Sequence, residues 1–173
     1  MKLYNNIHRD LVASKKLVYS PCGFNCSEPQ MEVESTEYGA CFFELNGLAI
    51  RFRVAKTTPT KLGQFVTLWK RIGNGPIQPY ELADRVDFFV ITTRQADCFG
   101  QFIFPSSVLC DQGIIATYGQ SGKRAIRVYP PWVKTVSPQA QKTQHWQLKY
   151  FLEIPENRAT DCMVARKLYH QKH

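Results

Sequence analysis

An Asn-Gly pair at Asn46-Gly47 places the strongest constraint on how this chain folds. It separates two segments, residues 38–45 and 48–54, that are rich in apolar, aromatic and β-branched side chains. Both residues of such a pair accept the positive φ angles of a type I′ turn. The sequence therefore predicts a tight β-hairpin at this point.

The second strand of this hairpin alternates in character. Successive side chains of a strand point to opposite faces, so Ile50, Phe52 and Val54 share one face while Arg51 and Arg53 share the other. We therefore expect an apolar face that packs on a core and a cationic face that presents arginines to a partner.

The remaining pattern predicts short strands and a few helices in one α/β (α+β) domain. At 173 residues the chain has the length of a single domain with a real core. Strands are predicted at residues 64–69, 86–92, 99–104 and 125–129, and helices at 1–19, 108–112 and 138–151. We expect a central mixed sheet, largely antiparallel, with flanking helices.

Two segments carry cations almost without acids. Residues 51–71 contain six basic side chains, and no acid lies between Leu45 and Tyr80. Between Cys98 and Leu152 the only acid is Asp111, against six further cations. Like charges repel one another, so such segments, in a chain of net charge +8, predict a polyanionic partner. Interleaved aromatic residues favour nucleic acid.

Aromatic side chains in or near these segments are candidates for stacking on bases. Trp69, Trp132 and Trp146 are the largest of them, and each is alternatively a core residue. Trp132 follows Pro130-Pro131 in a rigid extended segment, so we expect it to lie at the surface. Exposed rings of this kind stack on unpaired bases.

The sequence does not show the pattern of residues that a metal-dependent nuclease requires. Metal-dependent nucleases hold Mg²⁺ with clustered carboxylates, often in an acid-x-Lys triplet beside the attacking water. Lys56 and Lys70 end predicted strands, but Val54 and Leu68 stand two positions before them. We predict no catalytic residue. The alternative is a nuclease with atypical ligands, of which Glu37 and Glu44 are the candidates.

The cysteines and the ends of the chain point to an intracellular protein without a cofactor. Six cysteines without a second close pair, and four histidines without ligand spacing, predict ordinary buried thiols and no metal site. The N-terminus lacks an apolar export segment, and apolar runs are too short to span a bilayer. We therefore expect a cytoplasmic location and no membrane contact.

Six segments, in this order, resemble the MepB family: EYGACFFELNG, FRVAKTTPTKLGQFVTLWKR, PIQPY, GQFIFPSSVL, GKRAIRVYPPW and KTQHWQLKYF. The similarity covers residues 37–151 of the single domain 1–173. Residues 1–36 form an N-terminal helix and loop, and residues 152–173 a C-terminal segment. The resemblance implies a PD-(D/E)XK restriction endonuclease-like fold and nucleic-acid binding without established catalysis. The chain departs from the family at Ala125, where a glycine is expected after Gly-Lys-Arg.

The resemblance and the charge pattern together predict a nucleic-acid-binding protein without catalysis, and they leave open whether the nucleic acid is DNA, single-stranded or duplex, or RNA. The predicted contact residues are Arg53, Lys56, Lys61, Gln64, Lys70, Arg71, Lys123, Arg124, Arg127, Trp132, Gln144 and Trp146. A protein-interaction module that docks an acidic regulator is the other alternative to this function.

Overall fold

A mixed sheet of six strands organises the molecule, which we describe from a computed structural model for residues 6–170. Its strands run in the order β1-β2-β3-β8-β9-β11. Strands β3 and β8 are parallel, and the other neighbours are antiparallel. The strands are β1 (Gln30–Met31), β2 (Cys41–Leu45), β3 (Leu48–Val54), β4 (Lys56–Thr57), β5 (Gln64–Thr67), β6 (Trp69–Arg71), β7 (Ile77–Pro79), β8 (Phe88–Gln95), β9 (Cys98–Pro105), β10 (Ala125–Val128) and β11 (Phe151–Glu153).

Four α-helices accompany the strands in the described part of the chain. They are α1 (Arg9–Ser14), α2 (Ser106–Asp111), α3 (Pro138–Gln147) and α4 (Cys162–Tyr169). A π-helical stretch, Lys15–Tyr19, continues α1, and 3₁₀ turns occur at Thr36–Tyr38, Leu82–Asp84 and Leu148–Tyr150. Within residues 6–170, no helix combines the length and apolar composition that a membrane crossing requires.

The predicted hairpin is confirmed. Leu45 pairs with Leu48 across a two-residue turn, and Asn46 and Gly47 take φ angles of 51° and 79°. The Asn-Gly pair therefore supplies the left-handed backbone that the turn requires. The prediction of one mixed α+β domain with a central mixed sheet is likewise confirmed.

Helices cover one face of the sheet. Side chains of α1, the π-helical stretch and α4 pack there against β2 and β3, and the apolar residues predicted for one face of β3, Ile50, Phe52 and Val54, lie in this core. The hydroxyl groups of Tyr19 and Tyr169 are 2.8 Å apart in its centre. Burial raises the pKa of both hydroxyls, so both stay protonated at neutral pH.

Two smaller sheets cover the opposite face. Antiparallel strands in the order β10-β5-β4 form one of them, and β6 with β7 forms the other. Val66 and Leu68 enter a second core with Phe89, Ile91 and Phe102 of the large sheet. The large sheet is therefore buried on both faces.

Some predicted elements differ from the observed ones. The strand predicted at 64–69 divides at Leu68 into β5 and β6, and the helix predicted at 138–151 ends at Gln147. Phe151 instead starts β11, because it pairs with Phe102 of β9. The helix predicted at 1–19 begins at Arg9, and Leu3 of that prediction lies outside the described residues. No helix was predicted where α4 lies.

The prediction that all cysteines are ordinary thiols is wrong for two of them. Cys22 and Cys162 form a disulfide that joins the segment after the π-helical stretch to the start of α4. Their separation of 140 residues hid the pair, because no spacing pattern marks so distant a partner. Cys26, Cys41, Cys98 and Cys110 are free thiols, and burial raises the pKa of Cys41 to about 12.

Candidate nucleic-acid interface

Acids from elsewhere in the chain neutralise most of the first basic segment. Glu32, which follows β1, lies 2.6 Å from Arg51 and 2.6 Å from Arg53. Lys70 lies 2.6 Å from Asp84 and 3.4 Å from Glu81.

Arg71 has a partner as well, since it donates to Glu34 at 2.8 Å. Four of the six cations of residues 51–71 are thus paired, which leaves Lys56 and Lys61 without an acid within 4.0 Å among the residues that the structure describes.

The prediction that β3 presents Arg53 to a partner on an exposed cationic face is wrong. Its side chain is fully buried, and it donates to the Tyr80 hydroxyl at 3.2 Å in addition to its ion pair with Glu32. Tyr80 belongs to the core beneath the smaller sheets, and burial raises the pKa of its hydroxyl. A guanidinium enclosed in this way binds its own protein and is not exposed to phosphate.

A basic groove of about 420 Å³ lies between β10 and α3. It brings together one cation of the first segment, Lys61, and two of the second, Lys123 and Arg127. No acid lines it. The other lining residues are Gln112, Ile114, Ala125, Ile126, Tyr129, Ser137, Gln139, Ala140, Thr143, Trp146 and Gln147.

The cations of the second segment keep their charge uncompensated. None of Lys123, Arg124 and Arg127 has a carboxylate within 4.0 Å in the described chain, and the same holds for Lys134, Lys142 and Lys149. Lys123 and Arg124 are exposed, and Arg127 is half-buried. The described residues that line the groove therefore carry charge of one sign, which concentrates anions near this surface.

The helix α3 forms one wall of the groove, and its N-terminal cap fixes where this wall starts. Ser137 caps the helix by accepting from the backbone N–H of Ala140 at 3.1 Å, and Pro138 occupies the first turn, where its missing N–H costs nothing. Gln139, Thr143 and Trp146 then follow at spacings of four and three, which places them on one side of the helix. Their spacing is the sequence signal that would have identified Gln139 and Thr143, which we did not predict.

Gln147 fastens this helix to β10. Its buried side chain accepts from the backbone N–H of Tyr129 at 2.9 Å and donates to the carbonyl of Arg127 at 3.0 Å. The single amide group of Gln147 thus bonds one backbone N–H and one backbone carbonyl that take no part in the pairing of β10 with β5. This contact joins the two elements between which the groove lies.

The loop before β5 reaches the groove because Gly63 lies directly on β10. Gly63 has φ of 75°, and a Cβ there would lie 2.7 Å from the Tyr129 ring and 2.7 Å from the carbonyl oxygen of Val128. Arg127 donates to the carbonyl of Leu62 at 3.1 Å, which holds the same loop. Because these contacts hold the loop against β10, Lys61 lies at the wall of the groove.

Two glutamines that were predicted to contact nucleic acid serve the fold instead. Gln64 is buried and donates to the Thr57 hydroxyl at 3.1 Å and to the carbonyl of Arg94 at 2.9 Å. Gln144 donates to the carbonyls of Val133 and Pro130 at 2.8 and 3.0 Å. The interpretation of these two amides as surface contacts is wrong, because both amide NH₂ groups donate to groups of the protein itself.

The two tryptophans of the second segment lie in different surroundings. Trp146 lines the basic groove and packs on Phe104, with ring centroids 5.3 Å apart. Trp132 lines another cavity, of about 740 Å³, together with three acids, Asp97, Glu153 and Glu156. Trp132 also donates to Gln95 at 3.1 Å. Arg158 lines this cavity too and lies 3.3 Å from Glu153, so Trp146 lies among cations whereas Trp132 lies among charges of both signs.

Lys56 and Arg124 lie outside the groove lining. Lys56 is exposed on β4, and its ammonium is 4.8 Å from the centre of the Tyr38 ring, a cation–π contact. Arg124 is exposed and directly follows Lys123, which lines the groove.

Core residues occupy the positions where an acid-x-Lys triplet would place its carboxylates. Val54 is 7 % exposed and Leu68 is 1 % exposed. Within residues 6–170, no three side chains of His, Cys, Asp or Glu are grouped so as to hold a metal ion. Glu44 lies near the end of β2, and Glu37 lies in the 3₁₀ turn before its start, so about 10 Å of strand separates them.

This chain is similar to one protein family and to solved structures of other proteins. The model of the MepB-like family matches residues 32–153. A crystal structure of MepB is 32 % identical, with a TM-score of 0.75, over 88 % of this chain and 99 % of that one. The structure of a bacterial homing endonuclease, I-Ssp6803I, is 18 % identical over 81 % of this chain and 84 % of that one. The TM-score of that comparison is 0.42. Comparison with curated proteins gave no match.

Proposed function

The chain belongs to the MepB-like family, and from the basic groove of this member we propose that it binds nucleic acid without cleaving it. The observation that carries the proposal is the convergence of Lys61, Lys123 and Arg127 on one groove that no acid lines. Phosphate is the anion that repeats along a strand, so a groove with several cations suits a nucleic-acid backbone better than a single small anion.

The cations supply affinity that does not depend on sequence. Each lysine or arginine that neutralises a phosphate releases condensed counterions, and binding then weakens as salt rises. Lys61, Lys123 and Arg127 contact phosphates in this proposal, and Arg124 extends the same surface at the rim. Trp146 forms part of the wall against which sugars or bases pack.

The absence of cleavage is part of the proposal. We assign the sheet to the PD-(D/E)XK restriction endonuclease-like class, with Val54 and Leu68 at the positions of the lost carboxylates. Both positions are buried in apolar cores, which supports binding without metal-dependent chemistry. We also place the protein in the cytoplasm, a reducing compartment that would open the Cys22–Cys162 disulfide of the structure.

Fluorescence anisotropy across a salt series tests this function. Labelled single-stranded DNA, duplex DNA and single-stranded RNA are titrated with protein in EDTA and again with Mn²⁺, and the nucleic acid is checked for cleavage afterwards. We expect salt-dependent binding and intact strands. Cleavage that requires Mn²⁺ would instead indicate a nuclease, with Glu37 and Glu44 the first residues to replace.

A double variant locates the binding surface. Lys61→Gln with Lys123→Gln removes two exposed groove cations and no buried group, so the fold is preserved. Its matched control, Lys16→Gln with Lys167→Gln, removes two exposed cations from the helices on the opposite face of the sheet. We expect weaker binding for the groove variant alone. Equal effects of the two variants would place binding elsewhere, and no binding at low salt would favour an acidic protein partner.

A further inference from the structure

Tyr118 projects from the molecule beside the basic groove. In the described part of the chain it is the most exposed large apolar side chain, and its ring is fully exposed to solvent. Burial of a tyrosine ring stabilises a fold, so a ring left in water contributes nothing to the core. Its position therefore favours a role in contact with a partner.

A short two-armed projection, residues 114–123, holds this ring at its tip. The backbone groups of Thr117 and Gln120 bond in both directions, at 3.1 and 3.0 Å, so Tyr118 and Gly119 are the two turn residues. Gly119 has φ of 83°, which suits a tight turn. In the sequence, the Tyr118-Gly119 pair is the signal that marks this turn.

The two arms of the projection pack directly on each other and on the protein. Lys123 donates through its backbone to the carbonyl of Ile114 at 2.8 Å. A Cβ at Gly122 would lie 2.5 Å from that carbonyl oxygen and 2.7 Å from the amide nitrogen of Ala116. Ala116 in turn donates to the carbonyl of Tyr80 at 2.8 Å. The ring is therefore presented from a fixed base.

That base is part of the groove wall. Ile114 and Lys123, which pair at the foot of the projection, both line the groove. Tyr118 lies five positions before Lys123, so the chain between them spans at most about 18 Å, since an extended chain covers at most about 3.6 Å per residue. A strand whose phosphates lie at Lys123 therefore extends to Tyr118 within a few nucleotides.

We propose that Tyr118 stacks on an unpaired base of a nucleic acid whose phosphates occupy the groove. This inference rests on the proposed function and deepens it, because it names single-stranded nucleic acid as the class that the site distinguishes. Every base offers a π face, so stacking on tyrosine adds affinity without selecting a sequence. In a duplex the bases are stacked on one another, and their faces are not free for the ring.

Three variants test the inference by anisotropy with a single-stranded oligonucleotide and a blunt duplex of equal length. Tyr118→Ala is expected to weaken single-strand binding about tenfold. Duplex binding and the salt dependence of both are expected to stay unchanged, since no cation is lost. Tyr118→Phe keeps the ring and is expected to keep the affinity. Met163→Ala, an exposed apolar residue on α4, is the matched control.

Photo-crosslinking supplies a direct readout. A single-stranded oligonucleotide that carries 5-iodouracil is irradiated with the wild-type protein, and the peptide attached to it is identified by mass spectrometry. We expect attachment at Tyr118. Wild-type binding that Tyr118→Ala leaves intact would overturn this inference while the proposed function stands. No binding by the wild type would overturn both.

Discussion

Glu32 and Arg53 form an ion pair of 2.6 Å in which the arginine side chain is buried. The acid follows the edge strand β1 and the arginine lies in β3, two strands further into the sheet. The same carboxylate also binds Arg51 at 2.6 Å. One glutamate thus pairs with two guanidinium groups and holds the edge of the sheet to its centre.

Loss of the Glu32 charge is expected to destabilise the fold strongly. Glu32→Gln leaves Arg53 buried without a counter-charge, and breaking a buried pair in this way costs about 3–5 kcal/mol. Glu34→Gln removes the partner of Arg71, an exposed pair, and is expected to cost about 0–1 kcal/mol. Urea unfolding measures both free energies. Similar values for the two variants would contradict the special role of Glu32.

Groove cations and paired cations are expected to differ in their salt dependence. Lys123→Gln should lower the slope of log K against log salt by about 0.7 for single strands, because one phosphate contact is lost. Lys70→Gln should change the slope much less, since Asp84 and Glu81 already neutralise that ammonium. Anisotropy titrations at several salt concentrations give the slopes. A larger change for Lys70→Gln would mean that the ion-paired surface is the binding surface.

The amide of Gln147 is expected to stabilise the wall of the groove. Gln147→Ala leaves the Tyr129 N–H and the Arg127 carbonyl without their partner, which costs about 1–3 kcal/mol for each buried group left unpaired. Gln139→Ala on the same helix removes an exposed amide and is expected to be nearly neutral. Thermal unfolding compares the two. Equal melting temperatures for the two variants would show that the bonds of Gln147 contribute no stability.

His8 is expected to make stability depend on pH. Its Nδ1 accepts from the backbone N–H of Asp10 at 3.0 Å as the cap of α1, which requires an unprotonated nitrogen. Burial lowers the pKa of His8 below its ordinary value of 6.5, with Asp10 opposing the shift. The unfolded chain therefore binds the proton more readily. Stability is expected to be complete above pH 6.5 and to fall as the pH drops below it.

A variant isolates this contribution. In His8→Asn the side-chain oxygen caps the helix at any pH. The difference in free energy of unfolding between wild type and variant should therefore grow in favour of the variant between pH 7 and pH 5. Parallel curves over this range would show that His8 does not titrate with folding.

The Cys22–Cys162 disulfide is expected to stabilise the oxidised protein. It closes a loop with a sequence separation of 140, and removal of such a crosslink costs about 2–5 kcal/mol. Cys162→Ser should therefore lower the urea midpoint, and a reductant should lower that of the wild type by a similar amount. Because Cys162→Ser has no bond to lose, the reductant should leave its midpoint unchanged. A fall in the midpoint of the variant would point to another effect of the reductant.

The hairpin could be predicted because its turn depends on neighbouring residues. The charge pattern of residues 51–71 was misleading because the acids that pair with its cations are distant in sequence. The turn at Asn46-Gly47 depends on two adjacent residues alone, so the sequence pattern was sufficient. The absence of acids between Leu45 and Tyr80 was a true feature of the sequence, but Glu32, Glu34, Glu81 and Asp84 reach this segment through the fold. Ion pairs between distant residues leave no local pattern.

The surplus of cations expected for the second segment remains after folding, because no carboxylate of residues 6–170 lies within 4.0 Å of them. Lys123 and Arg127 of this segment meet Lys61 at the groove. That meeting depends on the contact of Gly63 with β10, which no spacing in the sequence indicates. The same limit explains Trp132, whose acidic neighbours Glu153 and Glu156 belong to the segment after α3.

The parallel pairing of β3 with β8 has a consequence for the order of folding. The β2–β3 and β8–β9 hairpins each join strands that are close in sequence, so each can form early. Their union requires closure of the long connection that contains β4 to β7, a step with a larger entropic cost. Lys61 lies in that connection, and Lys123 lies beyond β9. A nascent chain therefore carries Lys61 before it has a groove, and the affinity for nucleic acid that we propose for this surface would arise only late in folding.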